Sequence, residues 1–340
     1  MKNTKILLDD LNSVVNDINI PWQDMKDSSV LVTGATGMIG RGCVRVLAQL
    51  NHIKNLNIKI YATGRNIEKG QELELLPGVK FIQANITEHL QLNSSMDFVI
   101  HCAAVTKSSE MVANPVGLIE TELVGSKNIL ELARQDNVKS IVYTSSMESY
   151  GQLNLSDVKE TDQGYVDLKN PRSSYPMCKR MIELLCNSYY SQYHLPTKIV
   201  RLGMTFGAGE NFAEDNRAWA QFLRCALAKK DIVLHTKGES VSSFCYLSDA
   251  LRGIFLTLLT APSGETYNIA TLHCQIKEFA ERIAGMFGVS VEINQPANIK
   301  QLGYAGEFKL PLNTDKIKQL GWCPQVTTVE NMVTHVIDNM

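Results

Sequence analysis

A parallel, doubly wound α/β sheet followed by a smaller mixed α/β lobe is the fold class the sequence predicts. Short β-branched runs alternate with amphipathic helical stretches up to about residue 205, the pattern of βαβ units with right-handed crossovers. The first such run leads without interruption into a glycine-rich turn and a helix. The chain is also long enough to bury a large core: 340 residues, 44% hydrophobic and 20% charged, a composition that excludes disorder as the dominant state.

Residues 4–18 place Ile6, Leu7, Leu11, Val14, Val15 and Ile18 at helical spacing, an amphipathic helix that Pro21 and Trp22 end. Residues 1–27 thus read as an accessory addition. Strands are expected at Ser29–Thr33, Lys59–Thr63, Val79–Ile82, Phe98–His101, Ser140–Tyr143 and Lys198–Arg201, with helices near 38–50, 115–136 and 176–194. Near-continuous apolar strands of this kind are covered on both faces. Residues 28–205 form this first domain. Beyond it the pattern loosens into a helix near 216–229, a strand at Ile232–Leu234 and helices near 248–260 and 275–287, so residues 206–340 read as mainly a second lobe.

Charge and cysteine usage narrow the partners. Lys and Arg total 33 against 35 Asp and Glu, a formal charge of −2, which lacks the footprint of a nucleic-acid binder or a polybasic membrane anchor. The longest stretch free of charged residues, Leu184 to Thr197, is rich in Asn, Ser, Gln and Tyr and is no membrane span. Met1 to Asp10 does not have the pattern of a secretory signal, so a cytoplasmic protein is expected. The eight cysteines are scattered singly without a CxxC pair, which argues for reduced thiols rather than disulfides or a metal site.

Three glycines, Gly34, Gly37 and Gly40, stand at GxxGxxG spacing on the turn from the first strand into its helix. The first permits the tight turn, the second lets backbone N–H groups approach a pyrophosphate, and the third allows close helix–strand packing. This is the arrangement of a Rossmann-type dinucleotide-binding domain. A second constellation is Tyr175-Pro176-Met177-Cys178-Lys179, in which Tyr and Lys lie four apart on one helical face. An ammonium near a phenol lowers its pKa and makes it a usable acid and base for a hydroxyl. Upstream, the strand expected to end at Tyr143 leads into a hydroxyl-rich turn, which puts Ser146 at the carboxyl end of a central strand.

Together these residues resemble the extended short-chain dehydrogenase/reductase family of nucleotide-sugar epimerases, dehydratases, decarboxylases and ketoreductases. Further landmarks appear in order: His101-Cys102-Ala103-Ala104, Gly125-Ser126-Lys127-Asn128, Arg201-Leu202, Phe244 to Ala250, Tyr267-Asn268-Ile269 and Leu320-Gly321-Trp322. The resemblance implies an NAD(P) cofactor in the first lobe, bordered by Gly34, Gly37, Met38, Ile39, Gly40, Asn85, Ile86, Ala103 and Ala104. It implies a nucleotide-diphosphate sugar in the second. Hydride exchange is then expected at sugar C4, with Tyr175 moving the hydroxyl proton, Ser146 bonding the same oxygen, and Lys179 holding the nicotinamide ribose. Thr106 and Thr205 would touch the sugar. A homodimer is expected through the helices near 115–136 and 176–194, where Leu118, Leu123, Met181 and Leu185 exceed the needs of one sheet face.

Departures from the family pattern shape the expected reaction. Met147 precedes Glu148 where glucose-type dehydratases carry an acid, and a thioether cannot donate a proton. Glu148 remains a candidate base. A usual basic residue before Phe244 is replaced by Ser242, leaving Arg201 and Arg217 as candidate diphosphate contacts. The asparagine usually found three residues before Gly125 is Glu122, a departure from the customary proton relay. The second strand leads into Arg65 rather than an acidic residue, which leans toward the 2′-phosphate of NADP. His101 reads as a packed strand-end residue. The expected activity is a ketoreductase or epimerase. A decarboxylase or dehydratase passing through a 4-keto sugar is the alternative, and a non-catalytic dinucleotide sensor is the rival from another class.

Overall fold

The computed structural model describes residues 5–209, 215, 217–295 and 307–338. Residues 4 and 216, where two of the expected helices would begin, lie outside them. Helix α1 (Lys5–Val15) precedes β1 (Ser29–Thr33), α2 (Met38–Lys54), β2 (Lys59–Gly64), α3 (Ile67–Glu74) and β3 (Val79–Gln83). β4 (Phe98–His101) leads to the short α4 (Ser108–Ala113) and the long α5 (Pro115–Gln135), then to β5 (Ser140–Ser146), α6 (Ser174–Tyr193) and β6 (Thr197–Leu202). β7 (Met204–Phe206), α7 (Ala218–Leu227), β8 (Ile232–Leu234) and β9 (Val241–Tyr246) follow, then α8 (Leu247–Thr260) and β10 (Thr266–Ile269). The described residues continue with β11 (Leu272–Gln275), α9 (Ile276–Phe287), β12 (Val291–Ile293), α10 (Asp315–Gln319) and α11 (Val329–Ile337).

Seven of these strands form one parallel sheet in the order β10-β6-β5-β4-β1-β2-β3. β1, β4 and β6 are buried along their whole length, as strands covered on both faces must be. The order reverses between β1 and β4, and crevices for ligands open at such a switch. The second lobe contains a three-stranded sheet, β11-β9-β7, under α7, α9 and α11. Its core is aromatic: Phe206 stacks on Trp219 at 4.5 Å and Phe244 on Phe279 at 4.2 Å.

Two expectations about organisation change. The division at residue 205 is crossed by the chain, because α8 and β10 return to the first sheet, where β10 pairs with β6 (Thr266 opposite Ile199). The physical reason is that β6 needs a partner on its outer edge, and α8, buried from Leu247 to Leu258, covers β5 and β6. The accessory helix stops at Val15, three residues short of the expected end, with Val14 and Val15 packed toward α2 and α8. Its polar face ties the lobes together. Asp10 accepts a hydrogen bond from the Tyr246 hydroxyl at 2.7 Å and lies 3.2 Å from His335 Nδ1 on α11, and Arg252 on α8 donates to Ser13 at 2.6 Å. Among the described residues no helix is long and apolar enough to cross a membrane.

Candidate active site

The glycine turn meets the crevice at the ends of β1 and β4. Gly34 has φ +64°, and a Cβ there would lie 2.7 Å from backbone atoms of Ala103, so only glycine lets this turn pass the end of β4. A Cβ on Gly40 would lie 2.3 Å from the Gly34 carbonyl, which makes this a close-packed contact between helix and turn. Gly37 caps α2 without a side-chain hydrogen bond, and the first helical bond is Arg41 N–H to Gly37 O at 2.9 Å. The N–H groups of Met38, Ile39 and Gly40 therefore precede the helical ladder at a positive helix end, a donor set that fits a pyrophosphate.

The neighbouring loops complete this half of the crevice. Ala103 N–H donates to Thr33 Oγ1 at 3.2 Å, holding the turn of Ala103 and Ala104 against β1. Asn128 on α5 donates to the carbonyls of Ile86 and Thr87, both at 3.0 Å, and fixes the loop after β3. The Asn85 side chain accepts from Thr87 N–H at 3.3 Å at an exposed position, whereas Ile86 is buried against Gly125. Arg65 is exposed just past the end of β2.

Ser146 is the last residue of β5, a strand longer than the apolar run suggests because its ladder with β6 extends to Ser146 opposite Leu202. Its hydroxyl accepts from Glu148 N–H at 3.2 Å, and it lies close enough to the Tyr175 phenol to lower the phenol's pKa. Tyr175 and Lys179 are both buried on α6, one turn apart. The Lys179 ammonium lies 5.5 Å from the centre of the Tyr175 ring and 4.8 Å from that of Tyr143, and donates to Thr144 O at 3.3 Å. Burial pushes the phenol of Tyr175 above its ordinary pKa, Lys179 pulls it down, and Glu148 and Glu122 push it up.

Glu122 on α5 is part of the same cluster. Its Oε1 accepts from Val105 N–H at 2.7 Å, and its Oε2 is 3.5 Å from Lys179 Nζ. Burial opposes the charge on Lys179, but Glu122 together with Tyr143 and Tyr175 outweighs it, and the ammonium's pKa is raised well above the usual lysine value. Removing one partner of a buried ion pair of this kind costs about 3–5 kcal/mol. His101, beneath the cluster, bridges Thr33 Oγ1 at 2.7 Å and Ser126 Oγ at 2.9 Å. Its burial, with the Lys179 charge nearby, drops its pKa to about 3, so it is a neutral strand-end residue.

Glu148 forms a bidentate pair with Arg172, at 2.7 and 3.0 Å. Sequence reasoning does not single out Arg172, although it stands three residues before Tyr175 on the 3-10 turn that Pro171 begins. Met147 is buried with Tyr150, Val158 and Leu310 between the lobes, its sulfur 4.0 Å from Ser242 Oγ.

The expected substrate contacts fare unequally. Arg201 is corrected: its guanidinium pairs with Glu183 at 2.6 Å, donates to Glu160 O at 2.9 Å and covers the Tyr150 ring, so it is consumed inside the fold. Thr205 is buried and donates to Gly203 O at 3.0 Å. Arg217, at the start of α7, pairs with Asp215 at 2.6 Å and donates to Thr205 O at 2.7 Å, yet its side chain remains 37% exposed. Thr106 is exposed on the loop after β4.

Comparison with known proteins agrees with this layout. UDP-glucuronic acid decarboxylase 5 of Arabidopsis thaliana is 28% identical over 312 residues, covering 89% of this chain and 86% of that protein. The dTDP-glucose 4,6-dehydratase DesIV of Streptomyces venezuelae, solved with NAD bound, has a TM-score of 0.76 at 22% identity, over 91% of this chain and 96% of that one. A UDP-glucose 4-epimerase of Thermotoga maritima, solved with UDP-glucose, also has a TM-score of 0.76, at 20% identity, over 92% and 98%. Residues 30–270, which span the glycine turn, the Tyr175 cluster and the returning β10, match one family throughout. This chain belongs to the NAD dependent epimerase/dehydratase family.

Proposed function

We propose that this protein is an NAD(P)-dependent enzyme that oxidises and reduces C4 of a nucleotide-diphosphate sugar, acting as a ketoreductase or epimerase. The observation that carries the reading is the cluster of Ser146, Tyr175 and Lys179 at the carboxyl end of β5, in the same parallel sheet whose β1 leads through the glycine turn into the N-terminus of α2. The dinucleotide, when bound, supplies the hydride acceptor and donor. Met38, Ile39 and Gly40 N–H would hold its pyrophosphate. Tyr175 takes the C4 hydroxyl proton during oxidation and returns it on reduction, while Ser146 orients that oxygen and Lys179 favours the phenolate. Arg65, exposed just past the end of β2, supports NADP over NAD.

Thr106 and Arg217 are the candidate sugar and diphosphate contacts that keep exposure, and Thr205 would act through its turn. The chain works as a homodimer in the cytoplasm. Of the residues expected at the interface, Met181 is exposed, but Leu118 is buried and Leu123 and Leu185 pack partly into the core. With Val116 and Ile119 on α5 and Leu184 on α6, Met181 gives exposed apolar residues on two helices that pack side by side, which supports pairing with a second copy.

A second reading is decarboxylation of a uronic-acid sugar through a 4-keto intermediate. It is supported by the Glu148 and Arg172 pair near Tyr175, a carboxylate and a guanidinium available for chemistry at C5. The test is mass spectrometry of small molecules released from the purified protein, together with its products from a panel of nucleotide sugars. A C4 epimer or a reduced 4-keto sugar is expected. Loss of CO2 from a uronate would favour the second reading, and no turnover of any nucleotide sugar would overturn both.

A further inference from the structure

The pair of Glu122 and Lys179 carries an inference about how the tyrosine is tuned. Both side chains are sealed from solvent, at 0% and 2% exposure. Oε2 of Glu122 faces the ammonium at 3.5 Å but has no hydrogen-bond donor, so its contribution there is charge. Its other oxygen is anchored by Val105 N–H at 2.7 Å, which prevents the carboxylate from swinging away.

Of the other groups that face Tyr175, Glu148 also pushes the phenol's pKa up, ahead of Glu122. Glu148, on the 3-10 turn Met147–Tyr150, is paired with Arg172, and both side chains remain partly exposed. Tyr143 on β5 and Cys178 on α6 are held protonated by burial, the thiol pushed up to about 12, and His101 on β4 is neutral. Ser146 is uncharged. Within the sealed cluster the charges that face the phenol are therefore those of Lys179 and Glu122, one on each of two packed helices.

We propose that Glu122 is a positioning residue that offsets the Lys179 charge and thereby sets how readily the Tyr175 phenol loses its proton. A lysine alone would draw the phenol toward ionisation at lower pH, and the buried carboxylate opposes that pull while keeping the ammonium in place. The direction of the Tyr175 shift, with Glu122 raising what Lys179 lowers, agrees. The inference rests on Tyr175 as the proton-transfer group of the proposed reaction, but its test needs neither sugar nor dinucleotide.

The experiment is an alkaline titration of tyrosinate absorbance in the ligand-free protein, each variant being measured with and without Tyr175→Phe so that the difference belongs to Tyr175. Glu122→Gln keeps an acceptor for Val105 N–H and removes the charge, and it should lower the Tyr175 midpoint by about one pH unit. A merely structural role for Glu122 would change stability or overall rate and leave that midpoint in place, which would overturn the proposal. Should the unpaired lysine prevent Glu122→Gln from folding, Lys179→Gln is compared with the double variant Glu122→Gln/Lys179→Gln. With the lysine absent, retained Glu122 should hold the midpoint about one unit higher than in the double variant. Coincident midpoints in that pair overturn the proposal as well. Failure to turn over nucleotide sugars would count against the reaction while leaving both titrations readable.

Discussion

Replacing the Tyr175 phenol by a phenyl ring removes one proton-transfer hydroxyl and leaves the glycine turn untouched. Tyr175→Phe should therefore lose about 10²-fold or more in turnover while binding dinucleotide as before, checked by steady-state rates beside a binding titration. Near-normal rates would dismiss the tyrosine from the chemistry. Glu148→Gln separates the two proposed reactions. Chemistry confined to C4 needs only hydride and the Tyr175 proton, so this variant should keep most of its rate, and sugar recovered from heavy water should carry no deuterium at C5. That outcome is expected because Met147 packs between the lobes and offers no acid for an elimination. Deuterium at C5, lost in Glu148→Gln, would point to decarboxylation instead. Arg65 makes the cofactor choice testable. NADP(H) should bind more tightly than NAD(H), and Arg65→Ala should erase a difference of roughly 1.5–3 kcal/mol, the scale of a charge-assisted contact. Tighter NAD(H) binding in calorimetry would reverse the assignment.

At the scale of elements, α1 holds the lobes through Asp10, whose carboxylate meets Tyr246 and His335. The hydrogen bond to Asp10 raises the pKa of His335 above the ordinary histidine value. A raised folded-state pKa means that this contact stabilises fully below the unfolded value of about 6.5 and is lost as pH rises through the folded one. Limited proteolysis should thus cut α1 faster at pH of about 8 than near 6, relative to a peptide control, and His335→Gln should flatten the difference. An unchanged ratio in that variant would remove the histidine from the attachment. The elements themselves were unequally legible from sequence. β1, β4 and β8 run over the residues their apolar patterns mark, because each is a short β-branched run, buried throughout in β1 and β4 and at both ends in β8. β9 escapes notice because Ser242 and Ser243, both fully buried, interrupt its apolar run. α3 and α4 are too short and polar to stand out. In the site, Tyr175, Lys179 and the glycines declare themselves through local spacing within one element. Arg201 misleads, since nothing local reveals that Glu183, on a different element, faces it inside the fold.

For the whole molecule, the exposed apolar residues on α5 and α6 predict assembly. Light scattering at micromolar concentration should report a dimer, and Ile119→Arg with Leu184→Arg should yield monomers of unchanged secondary structure. A monomeric unmodified protein would refute the interface. The return of α8 and β10 to the first sheet has a consequence for how the protein is made. On the ribosome, β6 emerges more than sixty residues before β10, its outer neighbour, so the nascent chain carries an apolar strand edge through the synthesis of much of the second lobe. Such an edge is a template for pairing with other chains. Messages truncated before residue 266 should therefore yield aggregating products rather than a free dinucleotide-binding half, and the nascent chain would depend on chaperone cover until Thr266 to Ile269 closes the edge.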